Sequence, residues 1–190
     1  MPWPKVPQSE IVPFTHDELR SLIKASEYIN ASGKRGRWRQ RRPTALRDQC
    51  IIRVLFDTGV RVGELCRLQS GDVDGESGKM RVRANHSNRG ATKTRPRDVP
   101  LGNRTRSSIW KYLTERGHVL DTDPLFVTQR DNAMMTSEIQ NLMRRIGDRA
   151  GVTKVHPHRF RHSFAYWYLM PVDMGGGGGD PVSLVEIRAH

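Results

Sequence analysis

Ten residues near the C-terminal end collect imidazole, guanidinium and aromatic groups in one stretch: His156-Pro157-His158-Arg159-Phe160-Arg161-His162-Ser163-Phe164-Ala165. As a helix it has Pro157 in its first turn, where a missing N–H costs nothing. Phe160, Phe164 and Trp167 then fall at i, i+4 and i+7 and form an apolar seam. His158, Arg161, His162 and Ala165 share the neighbouring face. A helix that buries aromatics while holding an imidazole beside a guanidinium is costly unless an anion sits there. The chemistry on offer is to hold an oxyanion and to move a proton near neutral pH. As a metal site the three histidines are poor: no carboxylate or cysteine ligand is near in sequence, and Pro157 constrains His156, so no metal is expected.

A second stretch of this kind is Thr58-Gly59-Val60-Arg61-Val62-Gly63-Glu64-Leu65. It sets Arg61 at a helix N-terminus between two apolar runs, where an unpaired guanidinium is costly. Glu64, one turn on, can pair with Arg61 and fix its direction; a buried ion pair and nothing more is the plain alternative. A third is the connection Asn85–Pro96, carrying Arg89, Lys93 and Arg95 between two strand-like runs. Those charges either solubilise a hairpin tip or bring a mobile lysine to a groove. The fourth, Lys34 to Arg42, sets six basic side chains around Trp38. It reads as a solvated loop whose like charges repel, or as a phosphate-contacting loop with Arg35, Arg37, Arg39, Arg41 and Arg42 on the backbone and Trp38 stacked on a base or sugar.

These groups need elements to position them. Residues 1–14 hold four prolines and read as an extended lead-in. Thr15-x-x-Glu18 is a capping box opening a helix through Leu19, Leu22 and Ile23. Pro43 and Thr44 start a second helix with Ile51, Ile52, Leu55 and Phe56 inside, stopped by Gly59 in the left-handed position. The chain restarts as a helix over Val60–Leu68. Met80–Arg83 and Arg97–Leu101 pair as an antiparallel hairpin. Asn103 caps a helix with Ile109, Trp110 and Leu113 inside, and Leu125–Val127 is a short buried extended run. Thr136 or Ser137 caps a helix stopped by Gly151, and the histidine-bearing helix runs to about Leu169. The expected fold is α+β, mainly α-helical, with a small antiparallel sheet at one edge. The expected organisation is a core over 15–170, a glycine-rich linker over 171–181, and the start of a further helix over 182–190.

The chain has 190 residues, enough for one good core. Lys and Arg number 32 against 20 Asp and Glu, a formal net charge of +12 that points to a polyanion, nucleic acid first. No apolar run reaches the roughly 18 residues of a membrane span, and the N-terminus has no apolar signal segment, so a cytoplasmic, nucleoid-associated protein is expected. The two cysteines, Cys50 and Cys66, lie in apolar helical patterns, which argues against a disulfide framework.

Three of these stretches resemble, in order, the tyrosine recombinase (phage integrase) family. Thr58–Leu65 looks like its first arginine box. Arg97-Asp98-Val99-Pro100-Leu101 is similar to the end of the hairpin that bears its catalytic lysine. His158-x-x-Arg161-His162-Ser163-Phe164-Ala165 matches its second box. The resemblance implies a catalytic domain that binds double-stranded DNA and breaks and rejoins its strands without metal or cofactor, self-associating on DNA as a tetramer. Arg61 and Arg161 would clamp the phosphate, and Lys93 would protonate the leaving oxygen, with Arg89 and Arg95 as alternatives. His158 would assist proton transfer, with Glu64 and His162 in support. The family's nucleophilic tyrosine follows a Leu-Gly-His segment. Val182–His190 looks like the helix leading into it, and Tyr166 and Tyr168 follow Arg161 too closely, so no nucleophile is assigned. A non-catalytic DNA-binding or regulatory module on the same scaffold is the alternative.

Overall fold

The computed structural model describes residues 11–33, 36–84 and 95–169. Helix α1 (His16–Glu27) opens on the expected box: Thr15 Oγ1 accepts the Glu18 N–H at 3.1 Å, and Glu18 Oε2 accepts the Thr15 N–H at 2.8 Å. Two orphan donors are thereby satisfied reciprocally. Strands β1 (Tyr28–Gly33) and β2 (Gly36–Arg41) form an antiparallel ribbon, Tyr28 opposite Arg41 and Gly33 opposite Gly36. The basic run expected to be a loop is therefore a strand over most of its length. Tyr28 closes α1 as its C-cap and begins β1.

Helix α2 (Ala45–Thr58) is the central element, packed on α1, on α4 (Asn103–Arg116) and on α6 (Pro157–Leu169), with α5 (Thr136–Ala150) against α1. Cys50, Ile51, Ile52, Val54 and Leu55 are buried almost all round it, as a helix covered on several sides requires. It ends where expected, at Gly59 with φ +57°. Only one turn of helix follows, α3 (Val62–Leu65), in place of the longer one expected through Leu68. A 3₁₀ turn at Ser70–Asp72 then leads into β3 (Val73–Asp74). The expected hairpin is present as β4 (Lys79–Val82) and β5 (Arg97–Pro100), with β3 on the outer side of β4.

Two helix starts shift by a residue: Gly102, not Asn103, is the N-cap of α4, and Met135 is that of α5, its N–H accepted by Glu138 at 2.7 Å. Trp110 is 68% exposed, and Tyr112 takes the inner position two residues on, stacked on Phe126 at 5.9 Å. Ile109 already fills the core there, and Trp110, about 100° round the helix, faces out.

Residues 11–15 are bound to α6. Ser163 Oγ accepts the Phe14 N–H at 2.8 Å, and Trp167 Nε1 donates to the Phe14 carbonyl at 2.9 Å. Phe14 is fully buried against Phe160, their centroids 4.6 Å apart. Arg159 lies over the Phe14 ring at 3.9 Å and donates to the carbonyls of Val12 (2.9 Å) and Thr153 (2.7 Å) and to Glu18 Oε2 (2.9 Å). A buried guanidinium is tolerable only when its donors are answered in this way.

Candidate active site

The turn after α2 and the strand β5 form facing walls of an open cleft of about 490 Å³, and α6 supplies the third side. Four guanidiniums line it: Arg61 from the turn, Arg95 and Arg97 from β5 and its approach, and Arg161 from α6. Phe164 and Tyr168 complete the α6 side, their rings stacked at 5.4 Å.

Each arginine has a local reason for its place. Arg61 is the extended residue at the N-cap of α3, with its N–H accepted by Glu64 Oε2 at 2.8 Å and its Nη1 donating to Glu64 Oε1 at 3.2 Å. Arg97 closes a fork on the same carboxylate, at 3.1 and 2.9 Å. Burial acting alone would raise the Glu64 carboxyl, which is 3% exposed. The hydrogen bonds from Arg97 and from the Arg61 backbone outweigh burial and hold it down at about 2. Arg161 donates to the Gly59 carbonyl, which the left-handed turn directs at α6. Burial lowers the Arg161 guanidinium from its ordinary value, and the nearby charge of Arg61 lowers it further. Two like charges lining one cleft, each tied to a neighbouring carboxylate or carbonyl group, have the chemistry to bind an oxyanion.

The two arginines singled out from the sequence are brought together, and Glu64 supports one of them as expected. His158 and His162 lie on the exposed face of α6, their rings edge to face at 4.7 Å, and the lining of the cleft does not include them. His156 caps the same helix, its Nδ1 accepting the Arg159 N–H at 3.2 Å. Burial, then the neighbouring His158 and Arg159, lowers its pKa. Lys93, Arg89 and Arg35 lie outside the described residues, and Arg37 and Trp38 are placed only as backbone of β2. Arg39 lies over the Tyr28 ring at 4.4 Å. Arg41 pairs with Glu115 at 3.5 Å, and Arg42 pairs with the buried Asp48 at 3.2 Å. Arg42 is thus half occupied within the fold.

Sequence reasoning missed three residues here. Arg97 was a letter in a motif, and its partner Glu64 is 33 positions away, so no local spacing reveals the fork. Asp57 was given no part in a site and is a wall of the cleft. Tyr168, set aside for following Arg161 too closely, lines the cleft two turns further along α6.

Residues 13–172 match the phage integrase family. The chain is 32% identical over 165 residues to the tyrosine recombinase XerA of Thermococcus kodakarensis, covering 85% of this chain and 50% of that one. A crystal structure of XerA recombinase superposes with a TM-score of 0.63 at 34% identity, covering 85% of this chain and 50% of that one. The integrase of the transposon Tn1549, solved in complex with circular intermediate DNA, shares the fold at a TM-score of 0.66 and 18% identity, covering 96% and 60% of the two chains. The chain spans about half the length of the curated relatives it matches.

Proposed function

The chain belongs to the phage integrase family, and from that premise we propose that its cleft receives one phosphodiester of double-stranded DNA for strand cleavage and rejoining. The observation that carries this reading is the convergence of Arg61 and Arg161, a hundred positions apart in sequence, on one cleft. Attack on a phosphodiester puts extra negative charge on the non-bridging oxygens, and two forked guanidiniums set in advance answer that charge. Glu64 and Arg97 hold Arg61 in place. Lys93 is the proposed acid for the departing oxygen, with Arg89 and Arg95 as alternatives. His158 assists proton movement from the flank of Arg161, next to His162. The basic run over β2 contacts the flanking duplex, with Arg35, Arg37, Arg39, Arg41 and Arg42 on the phosphates and Trp38 on a base or sugar; Arg89 adds to the charge met by DNA. Self-association on DNA and a place on the nucleoid belong to the same reading.

The position of His158 outside the cleft lining favours a second reading, a DNA-binding module without chemistry. Arg61→Ala separates the two. In a module that only binds, affinity for a duplex falls and the slope of log affinity against log salt becomes shallower by about one phosphate contact. In a strand-cleaving enzyme, assayed with a segment that supplies the nucleophilic tyrosine, cleavage of a nicked suicide duplex falls by roughly 10²–10³-fold while binding changes little. Unaltered binding and unaltered cleavage in both Arg61→Ala and Arg161→Ala would sink the phosphate-clamp reading.

A further inference from the structure

The carboxylate of Glu64 holds Arg61 and Arg97, and a second carboxylate nearby has no role so far. Asp57, in the last turn of α2, is 1% exposed and belongs to the cleft wall. Its Oδ2 accepts the Gly102 N–H at 2.6 Å, across 45 positions of chain. Gly102 is the N-cap of α4 and follows β5 by two residues. Two residues after Asp57, the Gly59 carbonyl holds Arg161, and two residues later comes Arg61. Asp57 is therefore a tie between the arginine-bearing turn and the chain leaving β5, beside the fork that Arg97 makes on Glu64.

The other carboxyl oxygen is unanswered. Asp57 Oδ1 is buried without a hydrogen-bond partner, and so are Thr105 Oγ1 and Arg53 Nε, on the two helices that pack there. Buried polar atoms left unpaired are uncommon and call for an explanation. The Thr105 hydroxyl is near enough to favour the charged carboxylate but lies outside hydrogen-bonding geometry. A proton on Oδ1 gives the two atoms something to share, while Oδ2 continues to accept from Gly102. The charged and titratable groups around Asp57 are Arg53 on α2, Arg104 on α4, and Arg61, Arg95, Arg97, Arg161 and Tyr168 across the cleft. Burial, the largest influence, pushes the carboxyl up to about 6, against the downward pull of Gly102, Thr105 and Arg53.

We propose that Asp57 is a positioning residue that ties the arginine-bearing turn to the β5 wall, and that its carboxyl takes up a proton when a phosphodiester enters the cleft. The proposal rests on the cleft's being the phosphate site. A phosphate adds negative charge beside a carboxylate already short of solvent, which favours the neutral acid. By linkage, the neutral acid then favours bound phosphate.

The test is carried out on the whole chain with a short DNA duplex at low salt. Carbon-13 NMR of the Asp57 carboxyl is expected to titrate near pH 6 in the free protein and at higher pH in the complex. Lowering the pH from 7.5 to 5.5 tightens wild-type binding by about fivefold more than it tightens Asp57→Asn, for a rise of about one pH unit on binding. Asp57→Asn mimics the neutral acid, so it binds more tightly than wild type at pH 7.5 and the gap closes by pH 5.5; a purely structural tie would not produce that pH profile. A carboxyl that titrates below pH 4.5, or one whose midpoint does not move on binding, overturns the proposal even if Asp57→Asn fails to fold. Failure of the chain to bind duplex at any pH overturns the phosphate site itself, and this proposal with it.

Discussion

Glu64 carries two guanidiniums and a backbone N–H on a single buried carboxylate, so its removal leaves Arg61 and Arg97 unanswered. Glu64→Ala is expected to cost about 1–2 kcal/mol, because water answers the partly exposed Arg61 and Arg97 in part, read by urea denaturation. Its pH behaviour follows from a folded value held below the unfolded one. The stability it contributes is complete above about 4.5 and is lost as pH falls towards 2. Asp57 has the opposite sign, because its folded value lies above the unfolded one. Its ionisation is a penalty absent below about 4 and complete above about 6. Asp57→Asn is therefore expected to stabilise the protein by up to about 3 kcal/mol at pH 8 and hardly at all at pH 4, measured by thermal unfolding at the two pH values. At this scale the sequence was legible wherever a partner lay within one helical turn, as for Arg61 and Glu64. Arg159 was illegible because Glu18, its counter-charge, is 141 positions away. Its planar fork serves several acceptors at once, so Arg159→Lys is expected to recover less than half of the roughly 3 kcal/mol lost in Arg159→Ala, by the same denaturation assay.

The left-handed turn at Gly59 is the element on which the cleft depends. A Cβ there would stand 2.4 Å from Phe164 Cδ1, on a backbone with φ +57°. Gly59→Ala combines that conformational penalty with a clash against α6, about 3 kcal/mol together, visible as a lowered Tm. It also moves the carbonyl that holds Arg161, so duplex affinity should fall with stability. Helix limits at this scale were largely legible because their signals are local: the Thr15–Glu18 box, and the glycines at 59 and 151. The ribbon β1–β2 was misread. Repulsion among its arginines was weighed as in a loop, but in the ribbon Arg39 lies over the Tyr28 ring and Arg41 pairs with Glu115, so these charges meet answering groups. Gly33 and Gly36, flanking a two-residue connection, were a hairpin signal present in the sequence. Replacing residues 29–40 by a short turn should leave the Tm nearly unchanged, since the ribbon pairs mainly with itself, while weakening binding to long duplexes more than to short ones in a gel-shift series.

Taken whole, the molecule is an apolar assembly centred on α2 inside a surface with a formal net charge of +12. The excess charge was legible from composition, and the resemblance in three motifs gave the fold class; the cleft itself required residues 57–61, 95–100 and 161–168 to be brought together. Seen from the ribosome, the fastening of Phe14 to Phe160 sets a timetable. Phe14 is synthesised well before α6 and has no burial partner of its kind until that helix follows, roughly ten seconds or longer at ordinary rates of synthesis. During that interval the nascent chain presents an aromatic to solvent and to chaperones, and truncations that stop before residue 160 should collect in the insoluble fraction.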